Sequence, residues 1–204
     1  WNTSEFALAV ACFSGRPVVT NTSDVVNGNT TSIIHLVGTP GADGISLREA
    51  ILAANNNLDG WTSNYIYFDL PGAGPQTITP LSPLPSLQTA TILAGWEDPE
   101  YVNSPVVRIH GASAGAGANG LEMAYGYCAI YGLSITGFSG NGVIMNSNGN
   151  TIMSCRIGVL PDGVTCGGNG GAGVLINNTS NNGLGDPWWG NDPNVIAGNA
   201  GGGV

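Results

Sequence analysis

The chain repeats itself at shared offsets, and this restricts its fold more than any other feature. "GLEMA" at 120–124 returns as "GVIMN" at 142–146, and "AIYGLSI" at 129–135 returns as "TIMSCRI" at 151–157, both at the same displacement. "GVIMN" returns again as "GVLIN" at 173–177, and "ITGFSGNGV" at 135–143 returns as "IAGNAGGGV" at 196–204. Segments that recur in the same order with one displacement belong to a repeating structural unit. Each unit holds two or three short runs of Ile, Val, Leu or Met between turns rich in Gly and Asn, a pattern of strands rather than helices. If each unit makes one turn of the chain, equivalent strands stack in parallel and their inward side chains form continuous ladders. The expected fold class is therefore all-β, a parallel β-helix. A β-sandwich gives no reason for segments to recur in one order with a preserved offset.

One stretch departs from this pattern. In "SLREAILAANNN" at 46–57, Leu47, Ala50, Ile51 and Ala54 fall at helical spacing on one face, and Ser46 with Glu49 matches a capping box. Asn55 to Asn57 stop the helix. The end of a stack of parallel strands exposes apolar side chains and unpaired backbone groups, so the spacing predicts a short helix lying over the first turn as a cap. Arg48 and Glu49 are expected on its solvated face. The chain then divides into an N-terminal extension at 1–16, a cap with its helix at 17–60, and β-helix turns at 61–204.

Charge excludes some partners. The 204 residues carry four arginines, no lysine and a net charge of -9, which makes nucleic acid a poor partner because phosphate binding needs clustered basic side chains. An anionic membrane surface is disfavoured for the same reason, and no apolar run has the length that insertion across a bilayer needs. The opening "WNTSEFALAVACF" lacks a basic region and reads as a mature N-terminus. The cysteines are Cys12, Cys128, Cys155 and Cys166. Cys155 and Cys166 bracket a loop that a disulfide could close in an oxidising compartment, with buried thiols as the alternative.

The stretch "VVTNTSDVVNGNTTSIIHLVGTPGADGISLREAILAANN" resembles the N-terminal module named for its CSLREA motif, which precedes right-handed parallel β-helix repeats in bacterial secreted and surface proteins. "YIYFDLPGAGPQTITPLSPLPSLQTATILAG" is similar to the segment that follows that module, and "NGGAGVLINNTSNNGLGDPWWGNDPNVIAGNAGGGV" to later turns. The resemblance covers about residues 17–204. Ile45 stands where the family usually has its Cys, and the insertion "DPWWGND" at 186–192 departs from the common short loop. The resemblance implies a right-handed β-helix that is extracellular or on the cell surface, and it transfers no catalytic residue.

Little in the repeats suits catalysis. Glycosidases need two carboxylates and lyases need basic residues, often with Ca²⁺, whereas between Met123 and Asp186 the acidic residue is Asp162, in the turn "LPDG", and the base is Arg156. Arg156 is equivalent to Ser134 one turn earlier and is expected to face outward. A dispersed site of Asp69, Glu97 and Arg108 is the enzymatic alternative. "GWEDPEY", with Glu97, Asp98 and Glu100, reads as a solvated loop, with a weak calcium site as the alternative; no other cofactor is expected. Trp188 and Trp189 share a polar loop and read as an interface or glycan contact. Asn2, Asn21, Asn29, Asn177 and Asn178 match the glycosylation pattern.

Together these features read as a non-enzymatic extracellular structural or adhesive protein that assembles head-to-tail into a surface filament. The apolar run containing Phe6, Leu8 and Val10 would be its connecting strand, pairing with an open edge of another copy. The alternatives are a carbohydrate-active enzyme, either polysaccharide lyase or glycoside hydrolase, and a glycan-binding module.

Overall fold

Short strands ending at Gly- and Asn-bearing turns recur along the chain in the computed structural model, which describes residues 15–57, 63–185 and 193–204. In chain order the elements are β1 (Val18–Val19), α1 (Ile33–Gly38), α2 (Leu47–Asn55), β2 (Asn64–Phe68), β3 (Gln76–Ile78), β4 (Thr91–Ala94), β5 (Val107–His110) and β6 (Leu121–Met123). They continue as β7 (Ala129–Tyr131), β8 (Leu133–Thr136), β9 (Val143–Met145), β10 (Thr151–Met153), β11 (Arg156–Ile157), β12 (Val174–Ile176), β13 (Gly183–Leu184) and β14 (Val195–Ile196).

The strands form three sheets, and every neighbouring pair of strands is parallel. The first sheet has the order β1-β2-β4-β7-β10-β13, the second β3-β5-β8-β11-β14 and the third β6-β9-β12. From β4 to β12 the chain visits the first, second and third sheet in rotation, so each strand pairs with the strand one circuit earlier. The registers reproduce the sequence offsets. Leu121 lies beside Val143 and Ser134 beside Arg156, both at the displacement that relates "GLEMA" to "GVIMN". Val143 lies beside Val174, at the displacement that relates "GVIMN" to "GVLIN". Ile135, Ile157 and Ile196 form one row, which spans the longest of the offsets.

Alternation along each strand turns one set of side chains inward. Ile66, Leu93, Ile130 and Ile152 stack across the first sheet and are fully buried. Ile78, Ile109, Ile135 and Ile157 do the same across the second. Leu121, Val143 and Val174, with Met123 and Met145, complete the core from the third. Each such aliphatic side chain contributes roughly 1.5–3 kcal/mol of burial free energy.

The turns between sheets carry a second stack, of asparagines. Asn150 Oδ1 accepts the Cys128 N–H at 2.9 Å, and Asn182 Oδ1 accepts the Asn150 N–H at 2.8 Å. At another turn Asn169 Oδ1 accepts the Phe138 N–H at 3.0 Å and Asn199 Oδ1 the Asn169 N–H at 3.2 Å. Asn169 Nδ2 in turn donates to the Ile135 carbonyl at 3.2 Å. Each side chain thus satisfies backbone groups of the circuit before it, which buried peptide groups require.

Helix α2 occupies the position its sequence predicts, with Leu47, Ala50, Ile51 and Ala54 buried and the Ser46–Glu49 capping box formed. The outward placement of Arg48 and Glu49 does not hold. Glu49 is fully buried: Oε2 accepts the Ser46 N–H at 2.8 Å, and Oε1 accepts the N–H groups of Asn27 and Gly28 at 2.7 and 2.6 Å. Arg48 binds Asp24 through two parallel contacts of 2.9 Å and donates to the carbonyls of Pro83 and Ser82. The segment around residues 24–28 folds over this helix face, so both charged side chains tie segments together.

A second helix, α1, was not expected. Its six residues "IIHLVG" begin with a β-branched pair and are too short to show a period. Ser32 caps it by accepting the His35 N–H, and Ile33 and Leu36 are buried.

A buried asparagine of these stacks should be worth more than an exposed asparagine. Replacing Asn169, 2% exposed, by Ala leaves the Phe138 amide unsatisfied and should cost about 2 kcal/mol in urea unfolding. Replacing Asn146, an exposed residue whose Nδ2 donates to Glu122 Oε1, should stay within about 0.5 kcal/mol.

Candidate functional site

The outward side chains of the first sheet make its aromatic face. Register sets Tyr65, Ile92 and Ala129 in one row and Tyr67, Ala94 and Tyr131 in the next. Trp96 follows β4 in a short 3-10 turn at Gly95–Glu97 and stacks on Tyr131, with ring centroids 4.2 Å apart and planes 22° apart. Tyr65 and Tyr67 lie near-parallel at 16°, centroids 6.1 Å apart. The small side chain of Ala94 between Tyr67 and Tyr131 leaves an open groove of about 140 Å³, with Glu97 in its wall.

Local backbone requirements place Trp96. Gly132 connects β7 to β8 with φ +63°, and a Cβ there would fall 2.6 Å from the Trp96 backbone nitrogen and 2.9 Å from its Cβ. Only glycine lets the first-to-second-sheet turn close against this tryptophan. On the other side, Arg16 lies 5.1 Å from the Tyr65 ring centroid and 5.5 Å from that of Tyr67, and Nη1 donates to the Tyr67 hydroxyl at 2.6 Å. This cation–π contact occupies the Tyr65–Tyr67 end of the groove.

The residues singled out from sequence fall elsewhere. Trp188, Trp189, Phe6, Leu8, Val10, Asn2 and Cys12 lie outside the described residues. Asp69 and Glu97 follow β2 and β4 of the first sheet, whereas Arg108 sits on β5 of the second with Thr136 and His110 as its partners. Asp98 and Glu100 have structural partners: Asp98 Oδ1 accepts the Glu100 N–H at 3.0 Å, and Glu100 Oε2 accepts the Gly74 N–H at 2.9 Å. Burial raises the Asp98 pKa, and the nearby negative charges of Asp69 and Glu100 add to the effect. Among the described residues, no three His, Cys, Asp or Glu side chains gather as metal ligands.

Asp162 does what its turn predicts. Its side chain binds the Thr165 hydroxyl and accepts the N–H groups of Thr165 and Val164, and these bonds lower its pKa. Arg156 pairs with Ser134 as expected, yet it is buried and not solvent-facing, because the hairpin at 158–167 and the Pro193 carbonyl, 2.7 Å from Nη1, cover it. Asn29, Asn177 and Asn178 are exposed, and Asn21 is half-buried with Nδ2 donating to the Asp43 carbonyl.

No disulfide joins Cys155 to Cys166. Cys155 is fully buried and its thiol faces the Met153 carbonyl at 3.2 Å, while Cys166 is exposed. A backbone pairing of Val159 with Cys166 and the Leu160 N–H to Thr165 carbonyl bond of 2.8 Å close the loop in place of a covalent bridge.

No described helix is long and apolar enough to cross a membrane. Comparison with protein-family models, curated proteins and solved structures found no match.

Burial raises the Cys128 pKa, and its thiol faces the carbonyls of Thr89 and Tyr125. In the native protein, iodoacetamide should therefore label Cys166 and leave Cys128 unlabelled until denaturant is added, read by peptide mass spectrometry.

Proposed function

We propose that this chain is a right-handed parallel β-helix of the CSLREA type, acting outside the cell or on its surface as a non-enzymatic element that contacts carbohydrate. Two facts support the β-helix: the chain visits the three parallel sheets in rotation, and crossover connections between parallel strands are right-handed in about 98% of cases. The observation that carries the functional reading is the stacked Trp96–Tyr131 pair bordering an open groove. An indole or phenol face receives the C–H face of a pyranose, while its own body stays in place at little entropic cost. Glu97, exposed in the groove wall, is acceptor-only when ionised and suits sugar hydroxyls. End-to-end assembly into a filament would run through the apolar run containing Phe6, Leu8 and Val10 and is a separate proposal.

The test is calorimetric titration of the full chain with a panel of neutral oligosaccharides, repeated with Trp96→Ala and Tyr131→Ala. Each substitution should weaken binding about tenfold or more, since removing an aromatic anchor at a hot spot costs about 2 kcal/mol or more and about 1.4 kcal/mol is already tenfold. Unchanged affinity in both variants would reject the groove as the contact surface. New reducing ends or unsaturated products in the same mixtures would instead establish an enzyme.

A further inference from the structure

Arg48 and Arg108 use their guanidinium groups in different ways. Arg48 holds the Asp24 carboxylate by two contacts and two backbone carbonyls besides, the pattern of a structural arginine. Arg108 is half-buried on the outer face of the second sheet and makes two contacts: Nε donates to Thr136 Oγ1 at 2.8 Å, and Nη2 lies 2.9 Å from His110 Nδ1. Among the described residues its guanidinium has no carboxylate in ion-pair contact. Removing a charge from water without a partner is costly, and this chain has few cations and a net charge of -9 with which to compensate one.

The chemistry of the contacts fixes what is left over. Arginine has five N–H donors and no acceptor, so His110 Nδ1 must accept and the ring is neutral with its proton on Nε2. Two donors are then used and three remain, with at least one on each terminal nitrogen, the fork that matches a carboxylate. The ring is held in place. It lies over Gly137, where φ is +69° and a Cβ would stand 2.3 Å from Cε1 and 2.5 Å from Nδ1. Burial, and then the Arg108 charge, pull the His110 pKa below its ordinary value.

We propose that Arg108, with His110 and Thr136 positioning its guanidinium, is a binding site for an isolated carboxylate on an otherwise neutral saccharide. The net negative charge of the chain disfavours densely charged polyanions such as nucleic acid, and a single fork takes a single carboxylate. The choice of a saccharide rests on the reading of the first sheet. The site itself does not.

The probe is a disaccharide with one glucuronate, compared with its neutral glucose counterpart and with inorganic sulfate, titrated into the full chain while the His110 ring is followed by NMR. The glucuronate disaccharide should shift the His110 resonances and raise the His110 pKa, because an anion beside Arg108 offsets the positive charge that depresses it. Arg108→Gln should lose at least about tenfold in affinity, and Trp96→Ala should keep the response, which separates this site from the aromatic groove. The wild-type comparison stands even if Arg108→Gln folds poorly. An equal response to the neutral disaccharide, no response to glucuronate, or full binding by a folded Arg108→Gln would overturn the proposal. So would a response to sulfate as strong as to glucuronate, which would mark a generic anion contact.

Discussion

Parallel stacking imposes a requirement on the turns of this molecule: several backbone N–H groups at the corners, those of Cys128, Phe138, Asn141 and Ala172 among them, point toward a neighbouring circuit and are received there by a side chain instead of a ladder carbonyl. Within the sheets the ladder bonds dispose of them, but at the corners the chain changes direction and the ladder lapses. Asparagine meets the requirement because its side chain carries an acceptor and two donors on a short stem. Asn119 accepts the Asn141 N–H and Asn141 accepts the Ala172 N–H, so one corner is bonded through three circuits. Without these bonds, unsatisfied amides at the corners would offset much of what burial of the Ile, Leu and Val ladders contributes.

The same economy governs charge. With 8% charged residues, the ionised side chains at the N-terminal end hold backbone in place. Glu49 receives three backbone N–H groups, and Asp24 accepts the Leu81 N–H at 2.8 Å besides binding Arg48. These bonds bind the segment at 24–28 to helix α2 and to the loop at 81–83. The outer faces of the sheets, which the core does not constrain, are then open to aromatic side chains in the first sheet and to Arg108 and His110 in the second.

Much of the architecture was legible because the repeats state their own register: the row Leu121–Val143–Val174 joins the very segments "GLEMA", "GVIMN" and "GVLIN" that recur in the sequence. Helix α2 was legible from its spacing and its capping box. The burial of Glu49 and the pairing of Arg48 with Asp24 were not, since both depend on the segment at 24–28, distant in the chain, folding against the helix. The aromatic face was missed for a related reason. Tyr65, Trp96 and Tyr131 belong to three different circuits and are scattered in sequence, whereas adjacency in sequence singles out Trp188 and Trp189. Only the parallel register of β2, β4 and β7 brings the scattered rings together. Arg156 was misplaced because alternation gives the direction of a side chain but not whether a later hairpin covers it.

Asparagine followed by glycine occurs six times, at Asn27, Asn119, Asn141, Asn148, Asn169 and Asn182, and such pairs are ordinarily the weak points of an ageing protein. The glycine nitrogen attacks the asparagine side-chain carbonyl, ammonia leaves, and the succinimide opens to aspartate or isoaspartate. Here each of those glycine N–H groups is held in a hydrogen bond: Gly28 by Glu49, Gly120 by the Asn141 carbonyl, Gly142 by Ala172, Gly149 by Ser180, Gly170 by Phe138 and Gly183 by Asn150. Attack would require breaking that bond and rotating a backbone that the bond holds in place. These bonds, most of them between stacked circuits, therefore oppose slow deamidation at the positions where the composition most invites it, a chemical durability the sequence alone would not suggest.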